Sequence, residues 1–322
     1  MTAMRFLKIA FLIAGVLLSA SGGHAQGAPA AALPAPIWQQ VNSDGFGDPD
    51  TNEVTALEVF NGFLYAGVSN TNPLEGARIF RSPDGVTWTP VTDPGFALPH
   101  DNRPPAILDL AAFQGRIYAS TGRGNAAQIW RSQDGQYWSA VVNAGFANPD
   151  TVKITALTEF GGKLYAGAWN DVTGAQIWSS YTGDSNSWAQ EAPDTPGTGP
   201  GGVTAMAEFD GALYAAVDSG GPVQIWSSSG GAWSPVVSDG FGSSQTATAG
   251  GLAVFGGKLY AGAGNTAAGA QLWRTADGST WTQVTNPGFG GQNNLAVEAV
   301  TVWQNQLFVS VRNTLTGMEV WR

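Results

Sequence analysis

The chain has 322 residues, with 24 acidic against 14 basic side chains, a formal charge of −10 and no cysteine. An acidic chain with no basic run is poorly suited to nucleic acid or an anionic membrane, and without cysteine neither disulfides nor thiolate metal sites can form. Glycine occupies 44 positions, as expected of a chain that turns sharply many times.

Residues 1–25 read as a secretory leader. Arg5 and Lys8 precede the apolar run Ile9 to Leu18, and Gly23-His24-Ala25 forms a small-residue cleavage site before Gln26. The run is too short for a membrane span. The expected location is therefore periplasmic or extracellular. Removing the leader makes the chain more acidic and leaves His100 as its one histidine. Triad chemistry or a multi-histidine metal site would have to rest on that residue, in the polar run His100-Asp101-Asn102-Arg103. Residues 26–36 read as a flexible linker.

From residue 37 onward one pattern recurs about every 50 residues. Tyr65, Tyr118, Tyr165, Tyr214, Tyr260 and Phe308 each follow a Leu or Ile, and a second register runs through Phe80, Trp130, Trp178, Trp226, Trp273 and Trp321. Each repeat parses into four short strands, A to D. In the first repeat these are 54–60, 63–69, 77–82 and 87–91, and later A strands fall at 106–113, 153–160, 203–209, 250–255 and 296–303. Asn61-Gly62, Gly161-Gly162, Asp210-Gly211 and Gly256-Gly257 predict two-residue A–B hairpins. Ile37-Trp38-Gln39-Gln40-Val41 reads as a stray D strand, while the chain stops at Trp321-Arg322 without one. The expectation is an all-β, six-bladed β-propeller over 37–322, with the N-terminal strand completing the last blade and closing the ring.

The C–D turns read Ser82-Pro83-Asp84-Gly85-Val86-Thr87-Trp88, Ser132-Gln133-Asp134-Gly135-Gln136-Tyr137-Trp138 and Thr275-Ala276-Asp277-Gly278-Ser279-Thr280-Trp281. They resemble the Asp-box, or BNR, repeat Ser-x-Asp-x-Gly-x-x-Trp, with one residue fewer between Asp and Gly. The resemblance implies a propeller in which this Asp is a structural turn remote from any active site. Asp-box propellers include sialidases and other glycoside hydrolases, but no catalytic motif of those enzymes maps onto this chain. Arg81, Arg131 and Arg274, in strand C beside the repeated aromatics, read as structural.

The D–A connections carry Gly45-Phe46, Gly95-Phe96, Gly145-Phe146, Gly240-Phe241 and Gly288-Phe289, with Asp194-Thr195-Pro196-Gly197 in the fourth repeat. The Phe is expected to plug the gap between blades, with ligand stacking as the alternative. Asn70, Asn170, Asn265 and Asn313 stand five residues after the strand-B ring, where a side-chain amide stabilises a turn or reaches a ligand.

The scaffold does not explain departures from the repeat, so these mark the candidate site. Four residues after the ring stand Ser69, Gly122, Trp169, Asp218, Gly264 and Arg312. Beside this rung Arg123 replaces the Asn that Asn170 and its counterparts supply, and Asp109 and Glu298 interrupt strand A. An aromatic plane with both charges suits sugars or polar small ligands at a channel mouth, on the face of the D–A and B–C loops. Solvated loop ends and an ion pair would explain the same residues. Asp48, Asp50 and Asn52 offer alternating oxygens to calcium, without the glycine and distal glutamate of an EF-hand. No other cofactor is implied. The expected function is binding of an extracellular glycan or protein without turnover. The alternative is a glycoside hydrolase or lyase with Asp109 and Glu298 as its carboxylate pair.

Overall fold

The computed structural model describes residues 43–99, 102–122, 127–191, 200–303, 305–315 and 317–322. Antiparallel meanders follow one another along the chain. The first is β1 (Thr51–Phe60), β2 (Phe63–Asn70), β3 (Ile79–Ser82) and β4 (Thr89–Pro90). The second is β5 (Ala106–Phe113), β6 (Arg116–Gly122), β7 (Ile129–Ser132) and β8 (Trp138–Val142), and the third is β9 (Thr151–Phe160), β10 (Lys163–Asn170), β11 (Gln176–Ser180) and β12 (Ala189–Gln190). Then come β13 (Gly201–Phe209), β14 (Ala212–Asp218), β15 (Gln224–Ser228) and β16 (Ser234–Val237), followed by β17 (Thr246–Phe255), β18 (Lys258–Asn265), β19 (Gly269–Thr275) and β20 (Trp281–Gln283). The last is β21 (Asn294–Trp303), β22 (Gln306–Asn313) and β23 (Gly317–Trp321), with no fourth strand among the described residues. The stray D strand at Ile37–Val41 lies outside them. No helix among them is long and apolar enough to cross a membrane.

The A–B hairpins form as their sequence requires. Asn61 and Gly62 have φ of 47° and 77°, and Gly161-Gly162, Asp210-Gly211 and Gly256-Gly257 repeat this left-handed pair. Strand A carries a bulge near its middle. Thr55, Thr155 and Thr204 stand there, and Thr55 and Thr155 reach carbonyls of the next unit at Ile107 and Val203. A bulge bends and twists the strand, and here its hydroxyl ties one innermost strand to the next.

The end of strand B bonds to the start of the next unit's strand A. Ser69 pairs with Ala106, Gly122 with Lys153, Trp169 with Gly202 and Gly264 with Ala296. These bridges join the first four units into a sixteen-stranded sheet and the last two into a seven-stranded one. No closed sheet results among the described residues.

The core lies between units rather than within them. Tyr65, Ile79 and Phe60 pack on Ile107, Leu110 and Trp130 of the second unit, and equivalent layers join each later pair. Strand A thus turns one apolar row to the preceding unit and another to the following one, as its two-residue period allows.

The expected plug sits in the layer shared by two units, and its ring contacts lie in the unit that follows. Phe96 stacks on Trp130 at 4.1 Å and meets Trp138 edge-on at 6.3 Å, both in the unit that follows it. Phe46, Phe146 and Phe241 repeat the arrangement on Phe80 and Trp88, Trp178 and Trp188, and Trp273 and Trp281. These rings are spent on packing. The fourth repeat's Asp194-Thr195-Pro196-Gly197 lies outside the described residues.

The Asp turns connect units. Asp84 accepts the backbone N–H groups of Val86 and Thr87 at 2.8 and 2.6 Å, and Asp277 those of Ser279 and Thr280 at 2.9 and 2.7 Å. The glycine at the tip of the turn, which follows Asp in the second and fifth units and Thr182 in the third, receives the tyrosine of the preceding unit. A Cβ on Gly135 would stand 1.8 Å from the Tyr65 hydroxyl, one on Gly278 1.8 Å from that of Tyr214, and one on Gly183 2.2 Å from that of Tyr118.

Candidate functional site

The face where strand B ends and strand A begins carries the predicted residues, and the register decides which of them meet. Trp169 of β10 pairs with Gly202 of β13, which pairs in turn with Asp218 of β14. Gly202 lets the indole lie down, since a Cβ there would stand 2.6 Å from Trp169 Cε3. Trp169 Nε1 donates to Asp171 Oδ1 at 3.0 Å, which fixes the ring's tilt. On its other side Lys153 Nζ sits 5.3 Å from the ring centroid, in cation–π range. Asp218 Oδ1 accepts the Gly220 N–H at 3.0 Å, and its residue is partly exposed. The result is a half-exposed aromatic plane with an ammonium on one side and a carboxylate two strands away, about 10 Å by strand spacing. Sequence reasoning missed Lys153. Its signal was register, because it pairs with both Gly122 and Trp169.

Arg312 and Glu298 meet each other elsewhere. Arg312 Nε and Glu298 Oε1 are 2.9 Å apart, both side chains are substantially exposed, and they belong to the seven-stranded sheet. Glu298 occupies the bulge position that Thr55, Thr155 and Thr204 hold in other units.

Asp109 and Asn170 have structural work. Asp109 Oδ1 accepts the Leu110 N–H at 2.8 Å, and Oδ2 accepts that of Leu157 in the next unit at 2.7 Å. Asn170 is fully buried. Its amide donates to Thr151 Oγ1, and its carbonyl takes the Val172 and Thr173 N–H groups. Asn265 repeats this with Thr246, Ala267 and Ala268, so the repeated Asn ties the B–C loop to the start of strand A. Arg123 lies outside the described residues, as do His100 and Asp101.

At the calcium candidate, Asp48 Oδ1 accepts the Asp50 N–H at 3.0 Å and Oδ2 the Asn70 amide at 2.8 Å. Asp50 Oδ2 accepts the Asn72 amide at 3.2 Å. The Asn52 side chain lies outside the described residues. Asn148 and Ser243 cap the equivalent turns without charge, so the turn does not need a cation. Among the described residues no three His, Asp or Glu side chains cluster as metal ligands.

No protein-family model matches the chain, and no curated protein matches it either. Solved structures do. An α-L-arabinofuranosidase of Fusarium graminearum, solved as a mutant with an iminosugar inhibitor, is similar at 14% identity over 88% of this chain and 96% of that one, with a TM-score of 0.52. The extracellular domain of a one-component system from B. thetaiotaomicron is similar at 13% identity over 88% of this chain and 34% of that one, with a TM-score of 0.58. A Dyadobacter fermentans protein of unknown function is similar at 14% identity over 85% and 94%, with a TM-score of 0.50. Likeness at such identity speaks to fold. The chain is an all-β propeller.

Proposed function

We propose that this propeller is an exported glycan-binding protein that does not turn its ligand over. Trp169, laid over Gly202 between Lys153 and Asp218, carries the reading. A half-exposed indole offers its face to the C–H side of a sugar ring, and flanking charges hydrogen-bond hydroxyls at its edge. The hydrolase alternative has less support. Asp109 spends both oxygens on backbone N–H groups and Glu298 is paired with Arg312, whereas glycoside hydrolysis needs two carboxyls facing one bond across roughly 5–10 Å.

The ring we propose has six blades over residues 37–322, closed by the strand Ile37–Val41 beside β23, after a leader at 1–25 and a linker at 26–36. Two apolar faces support closure. Ile107, Leu110, Ile154 and Leu157 are buried against the preceding unit, but their counterparts Val54 and Leu57 are 49% and 47% exposed. At the other end Val320 is 73% exposed where Ile79, Ile129 and Ile177 are fully buried. Each face lacks the cover that its equivalents have.

A glycan-array screen of the leaderless protein tests the function. Binding to a neutral glycan, lost on Trp169→Ala and weakened on Asp218→Ala, is the expected result. Binding unchanged by Trp169→Ala would overturn the site. Silence on every glycan would overturn the ligand class and leave a protein ligand as the better reading.

A further inference from the structure

We propose that the outer wall holds a second ligand site, a cleft between the first two units that takes a saccharide bearing one carboxylate, such as a terminal uronic acid. It builds on the glycan-binding reading but uses none of the same residues. The cleft measures about 590 Å³ and is lined by Arg81, Asp93, Trp130, Gln136, Tyr137 and Trp138, among others. The equivalent cleft between the second and third units, at Trp178 and Trp188, is about 290 Å³.

Arg81 makes the difference. Its counterpart Arg131 pairs with Asp184 of the following unit at 2.5 Å. That contact holds the guanidinium above its ordinary value despite the opposing effect of its own burial. Gly135 and Gly183 each receive the preceding unit's tyrosine, and this aligns Gln136 with Asp184. The acid that would answer Arg81 is therefore a neutral amide. Arg81 lies 4.5 Å over the Phe63 ring and forms no ion pair among the described residues.

Tyr137 stands on the lip, 83% exposed, with no ring contact among the described residues. Its ring offers an apolar face and a polar hydroxyl to a sugar in the cleft. The guanidinium fork matches a carboxylate in two parallel hydrogen bonds. Asp93 in the same cleft and the chain's charge of −10 oppose a polyanion, so one acidic sugar on an otherwise neutral chain fits best.

Saturation-transfer NMR with glucuronic acid, and glucose as the neutral control, tests this on the leaderless protein. We expect glucuronic acid to bind, glucose to bind roughly tenfold more weakly, and high salt to erase the difference. Gln136→Glu restores the missing acid on an exposed turn and should abolish the preference, as should Arg81→Gln. Tyr137→Ala should weaken both sugars, and the preference for glucuronic acid should survive Trp169→Ala. Equal binding of the two sugars, a preference that survives Gln136→Glu, or no signal from glucuronic acid would each overturn the site. None of these results would touch the one at Trp169.

Discussion

Asp84, Asp134 and Asp277 each gather the two backbone N–H groups that open a C–D turn, and Ser82, Ser132 and Thr275 each add a hydroxyl. Donors aimed at a carboxylate favour its charged form. All three acids sit below the ordinary 3.8, through Thr87, Tyr137 and Thr280 respectively as the largest cause. The unfolded chain therefore binds these protons first. The stability they contribute is complete above about pH 4 and drains away as pH falls through the depressed native values. Asp277→Asn keeps one acceptor but cannot titrate, so it should flatten the acid limb of the stability curve. Urea melts at about pH 7 and about pH 3 would check this, and an unchanged acid limb would refute it. The role of these residues was legible because Asp next to Gly between two strands has a local explanation. Asp109 was not legible in the same way, since its second oxygen serves Leu157, a donor from another unit.

Between elements, the tyrosine register and the Asp-Gly register turn out to be two halves of one contact. Tyr65 ends on Gly135, one unit further along, and Gly135 has φ +74°. An alanine there meets two obstacles, a left-handed backbone costing about 1–2 kcal/mol and a clash that core overpacking puts at about 1–3 kcal/mol. Gly62→Ala meets the first alone, since nothing lies within 4 Å of its added Cβ. Denaturant melts should place Gly135→Ala clearly below Gly62→Ala. Equal losses would mean that the hydroxyl can move aside. Strand positions were largely legible, with the first A strand expected at 54–60 and found at Thr51–Phe60. The bulge at Thr55 was not, because its cause is the neighbouring unit's carbonyl at Ile107.

At the scale of the molecule, the core is a succession of layers, each shared by two consecutive units. A missing layer exposes two faces at once, and Val54 and Val320 mark them. If Trp38 completes the last unit as the partly buried Trp281 completes the fifth, then Trp38→Ala and Trp281→Ala should cost similar amounts, below the about 3–5 kcal/mol of a fully buried indole. Thermal melts would compare them, and a neutral Trp38→Ala would refute the closure. The succession of antiparallel units was legible from spacing. Which departures converge was not, because Trp169 and Asp218 meet through the register at Gly202 while Arg312 meets Glu298 in another sheet.

The Phe of each D–A connection stacks only on rings that come after it, as Phe146 does on Trp178 and Trp188. By its side-chain packing the Gly-Phe turn goes with the unit downstream, while its backbone still bonds to the unit before, as Gly145 N–H does to the Ala127 carbonyl. Anyone grafting, deleting or duplicating a unit should cut ahead of residues such as Ala144 and leave the turn with the strands downstream. A cut two or three residues later would hand each unit a stranger's aromatic ring.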